Sequence, residues 1–275
     1  MKPYYDEAGI TIYHGDCEEV LPLGSSPAVE LVVTSPPYNL GVSTGGSFGH
    51  HDWNARMKER GGGGKWHGGA LADGYSDYDD ARDPAAYLAW QRRCIGLIWG
   101  TLSDVGAIFY NHKPRVQRGR VQLPTDFVPP ELPIRQVVIW ARAGGVNFAP
   151  THYCPTHEWI VVIAGDGFRL KSKGASGVGD VWTIPQEPGT EHPAPFPLAL
   201  PARAIETTAP RSVLDPFMGS GTTLVAAKAA GIPATGIDVS GRYCEIAAKR
   251  LAQEVLDFGS PAAREDMSPN RGFDE

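Results

Sequence analysis

Between residues 213 and 223 the chain reads Val-Leu-Asp-Pro-Phe-Met-Gly-Ser-Gly-Thr-Thr, a run that few folds accommodate. Ser212-Val213-Leu214 is an apolar run of β type. Gly219 and Gly221 free the backbone to turn tightly and let a ligand approach it closely. Thr222 to Ala230 reads as a helix ended by Gly231, as a C-terminal cap requires. A further strand, Ala234 to Ile237, ends at Asp238, 17 residues beyond Gly221. In such a unit the free N–H groups of the helix start favour a carboxylate or phosphate, and the acidic strand end can hold ribose hydroxyls. The spacing is not G-x-G-x-x-G, which disfavours a nicotinamide cofactor. Nor is it G-x-x-x-x-G-K-[ST], which excludes the phosphate loop of nucleotide hydrolases. Taken alone, the run also fits a purely structural turn.

The rest of the chain repeats the alternation. Ile10 to Tyr13 and Leu31 to Val33 read as strands, with a helical turn over Asp16 to Leu21 between them. Asp83-Pro84 opens a helix running to about Thr101, its apolar positions Tyr87, Trp90, Cys94, Leu97 and Ile98 at helical spacing. Strands are expected over 107–110, 136–140 and 159–164. Ser240 caps a last helix with the stripe Tyr243, Ile246, Ala247, Leu251 and Val255. Strands alternating with helices predict an α/β fold whose central sheet is mostly parallel and covered by helices on both faces. We expect one domain over 1–260 and a polar tail over 261–275. Residues 41–74 hold 11 glycines and are expected to be a mobile loop, its His50, His51 and His67 scattered polar residues rather than a metal site. The polar, glycine-rich stretch 165–191 suits a small target-recognition insert, and the proline-rich stretch from His192 to Leu200 cannot be regular.

Composition excludes several classes. Hydrophobic residues make up 42% and charged residues 20% of the 275, ordinary values for a soluble domain. No apolar run is long enough to span a membrane, and Met1 to Glu7 lacks the pattern of a signal peptide, so a cytoplasmic protein is expected. Cys17, Cys94, Cys154 and Cys244 lie far apart, against both a zinc site and a disulfide framework. The net charge of −6 does not suggest a nucleic-acid binder, yet the segment 113–173 carries nine Lys and Arg against four acids. Such a basic middle is compatible with a phosphate-contacting face and equally with a solvated surface.

A second motif, Thr34-Ser35-Pro36-Pro37-Tyr38-Asn39, follows the strand Leu31 to Val33 directly. Consecutive prolines fix φ twice and remove two donors, so the carbonyls of Ser35 and Pro36 are held without a competing N–H. With the flat ring of Tyr38 beside them, these acceptors suit a planar group bearing an amine. In isolation the run reads equally well as an ordinary proline turn.

Together the motifs resemble those of the DNA amino-methyltransferases, which carry a D/N/S-P-P-Y/F and an F-x-G-x-G motif. Thr34 to Tyr38 is similar to the first, and Phe217-Met218-Gly219-Ser220-Gly221 matches the second. Their order, proline motif first, looks like the β group of that family. The resemblance extends to Tyr13 to Cys17, Gln136 to Ile163 and His192-Pro193. It implies a Rossmann-like methyltransferase fold, with S-adenosylmethionine as cofactor and double-stranded DNA as partner. No membrane is implied, and a homodimer is left open. By this resemblance Asp16, Thr34, Pro193, Phe196, Asp215, Phe217, Gly219, Gly221, Thr222 and Asp238 are expected to bind the cofactor. Within that set Asp16 reaches the adenine amine, Asp238 the ribose, and the segment His192 to Phe196 the methionine end. Ser35, Pro36, Pro37 and Tyr38 are the expected catalytic set, with Tyr38 stacking on a base taken out of the duplex. Lys113, Arg115, Arg118 and Arg120 are expected on phosphates, and Arg169, Lys171 and Lys173 in the recognition insert.

The expected reaction is methylation of an exocyclic amine. An aromatic amine is a poor nucleophile, and hydrogen bonds to Ser35 and to the Pro36 carbonyl would aim its lone pair at the methyl group. Methylation at cytosine carbon-5 would need a Pro-Cys dipeptide, and Cys154-Pro155 has the reverse order. Ser35, where many adenine enzymes of the resembled family carry Asp, looks like the cytosine-N4 signature, so cytosine N4 is favoured over adenine N6. The rival readings are an RNA or protein methyltransferase and a non-catalytic DNA-binding module.

Overall fold

In the computed structural model the described residues are 1–23, 28–39, 82–117, 120–142, 153–186 and 197–252. The expected loop 41–74, Arg118, the segment with Pro193 and Phe196, and the tail 261–275 lie outside them.

The strands are β1 (Tyr5–Glu7), β2 (Ile10–His14), β3 (Val29–Thr34), β4 (Leu102–His112), β5 (Arg115–Gln117), β6 (Arg120–Gln122), β7 (Ile134–Ala141), β8 (His157–Ala164), β9 (Val181–Thr183), β10 (Val213–Asp215) and β11 (Ala234–Asp238). The helices are α1 (Cys17–Val20), α2 (Pro84–Trp99), α3 (Ala199–Thr208), α4 (Thr222–Ala229) and α5 (Gly241–Ala252). Nine strands form one sheet in the order β1-β2-β11-β10-β3-β4-β8-β7-β9, and β5 pairs with β6 as a separate hairpin. The sheet is mostly parallel. Only β1 and β8 run against the others.

Alternation along the central strands divides the core in two. Leu31, Val33, Ala107 and Phe109 pack with α3, α4 and α5 through Leu200, Leu224, Cys244 and Leu251. Val32, Ile108 and Tyr110 face the other side, against α1 and α2 through Cys17, Tyr87, Trp90, Cys94 and Ile98. Each such strand is buried on both faces, which is why it reads as an unbroken apolar run. Asp83 caps α2 by accepting from the N–H groups of Ala85 and Ala86, and Pro84 costs no hydrogen bond at that first turn.

The structure departs from the sequence reading in several places, and β1, the β5–β6 hairpin and β9 were not expected. β4 runs over 102–112, so its polar end, Asn111-His112, is strand rather than loop. α3 was not foreseen: it begins inside the stretch His192 to Leu200, expected to be irregular, and Pro201 stands in its first turn, where proline is tolerated. The described part of the expected recognition insert, 165–186, is mostly exposed but anchored: Phe168, Ala175, Trp182 and Ile184 are buried in the core, and β9 extends the sheet beside β7.

Candidate active site

Thr34 and Asp215 end the neighbouring strands β3 and β10, and their side chains meet. The Thr34 hydroxyl donates to Asp215 Oδ1 at 2.7 Å, Thr223 donates to Oδ2 at 2.7 Å, and the Phe217 N–H donates to Oδ1 at 3.1 Å. Both residues were expected to touch the cofactor, and here the structure corrects the sequence reading. Their side chains are fully buried and form the joint between the two motifs. Burial pushes the Asp215 carboxyl up to about 6, against the hydrogen bonds that favour its charged form.

Above this joint lies the glycine turn. Gly219 and Gly221 have φ of +51° and +79°. A Cβ on Gly221 would stand 2.8 Å from that of Ala247 on α5, so glycine is needed both for the conformation and for the space. Asp238, at the end of β11, accepts from Gly219 N–H at 2.9 Å and Ser240 N–H at 2.8 Å. Phe217 is half-buried with its ring edge-on to Trp90. Asp16 caps α1 by accepting from Glu18 N–H, and Gly15 N–H bonds the Asp238 carbonyl, which draws Asp16 to the same end of the sheet. Thr222 is buried, its hydroxyl accepting from Arg250, so it holds the turn rather than facing a ligand. A helix start, a half-buried aromatic ring and two carboxylates, Asp16 and Asp238, at one end of the sheet fit an amino-acid nucleoside such as S-adenosylmethionine. Asp238 would hold its ribose, Phe217 and the glycines its body, and Asp16 its adenine.

The Ser35–Tyr38 turn emerges beside this cradle. The Pro37 carbonyl accepts from the Tyr87 hydroxyl at 2.6 Å, while Arg115 donates to the carbonyls of Tyr38 and Asn39. The carbonyls of Ser35 and Pro36 have no donor among the described residues. Asn39, at φ +54°, exchanges two hydrogen bonds with the backbone of Arg82, at 2.8 and 2.7 Å, so 39 and 82 are clamped together.

A polar cluster that sequence reading missed backs the turn. Tyr38 Oη lies 2.9 Å from Ser35 Oγ and donates to Glu158 Oε2 at 2.9 Å. Asn111 Nδ2 donates to Tyr38 Oη at 2.8 Å and to Glu158 Oε2 at 2.9 Å, and Arg142 pairs with Glu158 at 3.1 Å. The Tyr38 ring packs on His112, centroids 4.4 Å apart, and burial brings that imidazole down to about 3, so it is neutral. Asn111 and His112 end β4 and Glu158 begins antiparallel β8. Polar residues at the rims of apolar runs were therefore the available signal.

The basic residues divide. Lys113 follows β4 at the site end, and Arg120 is exposed on the hairpin. Arg115, expected on phosphate, is instead turned inward onto the Tyr38–Asn39 backbone and Gln122. Lys171 is likewise corrected. It pairs with Glu30 at 2.9 Å, at the amino end of β3, and Arg169 binds the carbonyls of Asp166 and Phe168. Lys171 and Ser172 both bond the Thr207 carbonyl, so the stretch carrying Lys173 lies at the opposite end of the sheet from Ser35.

Sheet order, glycine cradle and braced proline turn together define an α/β methyltransferase. The DNA methylase family of N6/N4 methyltransferases matches residues 29–249, and the chain belongs to that family. It is 28% identical over 276 residues to the type II methyltransferase M.ScaI of Streptomyces caespitosus, covering 92% of this chain and 85% of that one. To M.HinfI of Haemophilus influenzae it is 26% identical, over 92% of this chain and 71% of that one. Among solved structures, the cytosine-N4-specific PvuII DNA methyltransferase superposes with a TM-score of 0.68 at 16% identity, covering 93% of this chain and 90% of that chain. A protein assigned as a DNA modification methylase from Thermus thermophilus, complexed with S-adenosyl-L-methionine, gives 0.53 at 25% identity, covering 90% and 95%. The protein is thus an S-adenosylmethionine-dependent DNA methyltransferase. Among the described residues no helix is long and apolar enough to cross a membrane.

Proposed function

We propose that this enzyme is a site-specific methyltransferase acting in the cytoplasm on the exocyclic amine of a base flipped out of duplex DNA, with cytosine N4 favoured over adenine N6. The observation that carries the reading is the Ser35–Tyr38 turn. Its next three carbonyls, of Pro37, Tyr38 and Asn39, accept from Tyr87 and Arg115, while those of Ser35 and Pro36 have no donor among the described residues. When bound, S-adenosylmethionine would supply an electrophilic methyl group for the amine nitrogen, whose proton must leave as it is methylated. The chain's own contribution is placement. The Pro36 carbonyl and Ser35 Oγ accept from the amine and direct its lone pair, and the Tyr38 ring takes the place of the neighbouring bases. Ser35 in the first position of the D/N/S-P-P-Y/F motif supports cytosine.

The test is mass spectrometry of nucleosides from duplex DNA incubated with the protein and cofactor. N4-methylcytosine is the expected product. N6-methyladenine would overturn the choice of base, and the absence of any methylated nucleoside would overturn the activity.

A further inference from the structure

An amine nitrogen that gains a methyl group gives up a proton as the new bond forms, and resting on the reading above, the geometry points to where that proton goes. We propose that Ser35, Tyr38 and Glu158 form a proton relay from the target amine, with Glu158 its terminal acceptor. The direction of each hydrogen bond follows from chemistry. Glu158 Oε2 can only accept, so the single proton of the Tyr38 hydroxyl points at it across 2.9 Å. Tyr38 Oη then accepts, both from Asn111 Nδ2 at 2.8 Å and from Ser35 Oγ at 2.9 Å. The Ser35 proton is committed inward; one lone pair of its oxygen receives a long 3.5 Å hydrogen bond from Asn111 Nδ2, and the other remains for the substrate. Asn111 cannot be turned over, because its carbonyl oxygen would then face the carboxylate.

The transfer balances. The amine nitrogen gives one proton to Ser35 Oγ, Ser35 passes its own to Tyr38 Oη, and Tyr38 passes its own to a carboxylate oxygen of Glu158. Every hydroxyl ends with one proton, the nitrogen is neutral, and Glu158 has gained the proton it later loses to water. Burial and the Glu158 charge hold the Tyr38 hydroxyl well above the usual phenol range, so it hands a proton on rather than ionising. Arg142 at 3.1 Å and Lys113, whose charge also acts on Glu158, are the cations facing the acceptor. Glu158 is buried, so the path does not depend on bulk water.

The experiment is single-turnover methyl transfer to duplex DNA by the wild type, Tyr38→Phe, Glu158→Gln and the double variant, in H2O and D2O. Cofactor calorimetry and 2-aminopurine fluorescence at the target position run alongside. Tyr38→Phe keeps the ring, so cofactor binding and base flipping should be unchanged while the rate falls about 100-fold. Glu158→Gln should do the same, and the double variant should be no slower than the slower single, because members of one relay act in series. The wild-type solvent isotope effect should vanish in Tyr38→Phe. A Tyr38→Phe enzyme at the wild-type rate, or losses that multiply in the double variant, would overturn the relay and leave the methyltransferase reading intact. A wild type that methylates no DNA would overturn both.

Discussion

Two buried carboxylates respond to pH in opposite senses. For Glu30, burial alone would raise the carboxyl. Hydrogen bonds from Lys171, from the Arg211 side chain at 2.6 Å and from the Arg211 N–H at 3.1 Å outweigh it and hold the group at about 2, below its ordinary 4.5. Its contribution to stability is therefore present above pH 4.5 and lost as pH falls toward 2. Lys171 and Arg211 are substantially exposed, so solvent screening keeps the contribution to about 1–2 kcal/mol. Asp215, raised from 3.8 to about 6, does the reverse: it favours the folded state below 3.8, and that gain is lost as pH rises through 6. Denaturant unfolding between pH 7 and pH 3 should show Glu30→Gln with a flatter acid loss than the wild type. Asp215→Asn should lose the gain that protonation brings below pH 6. Equal slopes in all three proteins would contradict both assignments.

At the scale of elements, the β5–β6 hairpin braces the motif turn. Arg115 reaches from β5 to the carbonyls of Tyr38 and Asn39 and holds Gln122 of β6, and the Asn39–Arg82 clamp secures the residue after the turn. A guanidinium serves two carbonyls in a fixed fork, which an ammonium does not reproduce. Arg115→Lys is thus expected to lower kcat/KM for methyl transfer about tenfold, roughly 1.4 kcal/mol, while the salt dependence of DNA binding stays as it was. A salt slope lower by about one would instead return Arg115 to phosphate contact. The motif TSPPYN was visible in sequence, but its brace was not. Arg115 lies 77 residues beyond Tyr38, and only the parallel pairing of β3 with β4 carries the chain back to it.

Across the whole molecule, the sheet separates charges that are continuous in sequence. Lys113 and Arg120 follow the carboxyl end of β4, where the cofactor cradle and the motif turn meet. Arg169, Lys171 and Lys173 come after β8, which runs the other way and delivers them to the amino ends of the strands. Lys113→Gln and Arg120→Gln should each weaken binding to any duplex and flatten its salt slope by about one, whereas Lys173→Gln should leave both unchanged. Titrations of the three variants against one duplex at several salt concentrations decide the matter, and a Lys173→Gln slope like that of Lys113→Gln would sink the division.

What the sequence by itself determined was local in origin. Glycines at 219 and 221 are demanded by backbone conformation, Asp238 by the end of the next strand, Pro36 and Pro37 by a turn stripped of donors, and Asp83 and Pro84 by a helix start. Each requirement is met within a few residues, so composition and spacing betray it, and with them the family. What only the tertiary structure decided depends on pairing over long separations. The antiparallel turn of β8 brings Glu158 to Tyr38, 120 residues away, and Asn111 and Arg142 arrive from strands on either side of it. The same reversal removes Lys171 from the site, and burial turns Thr34 and Asp215 from ligand contacts into a joint. Strand direction and burial are settled by what the whole core must enclose, and no short run of residues encodes that.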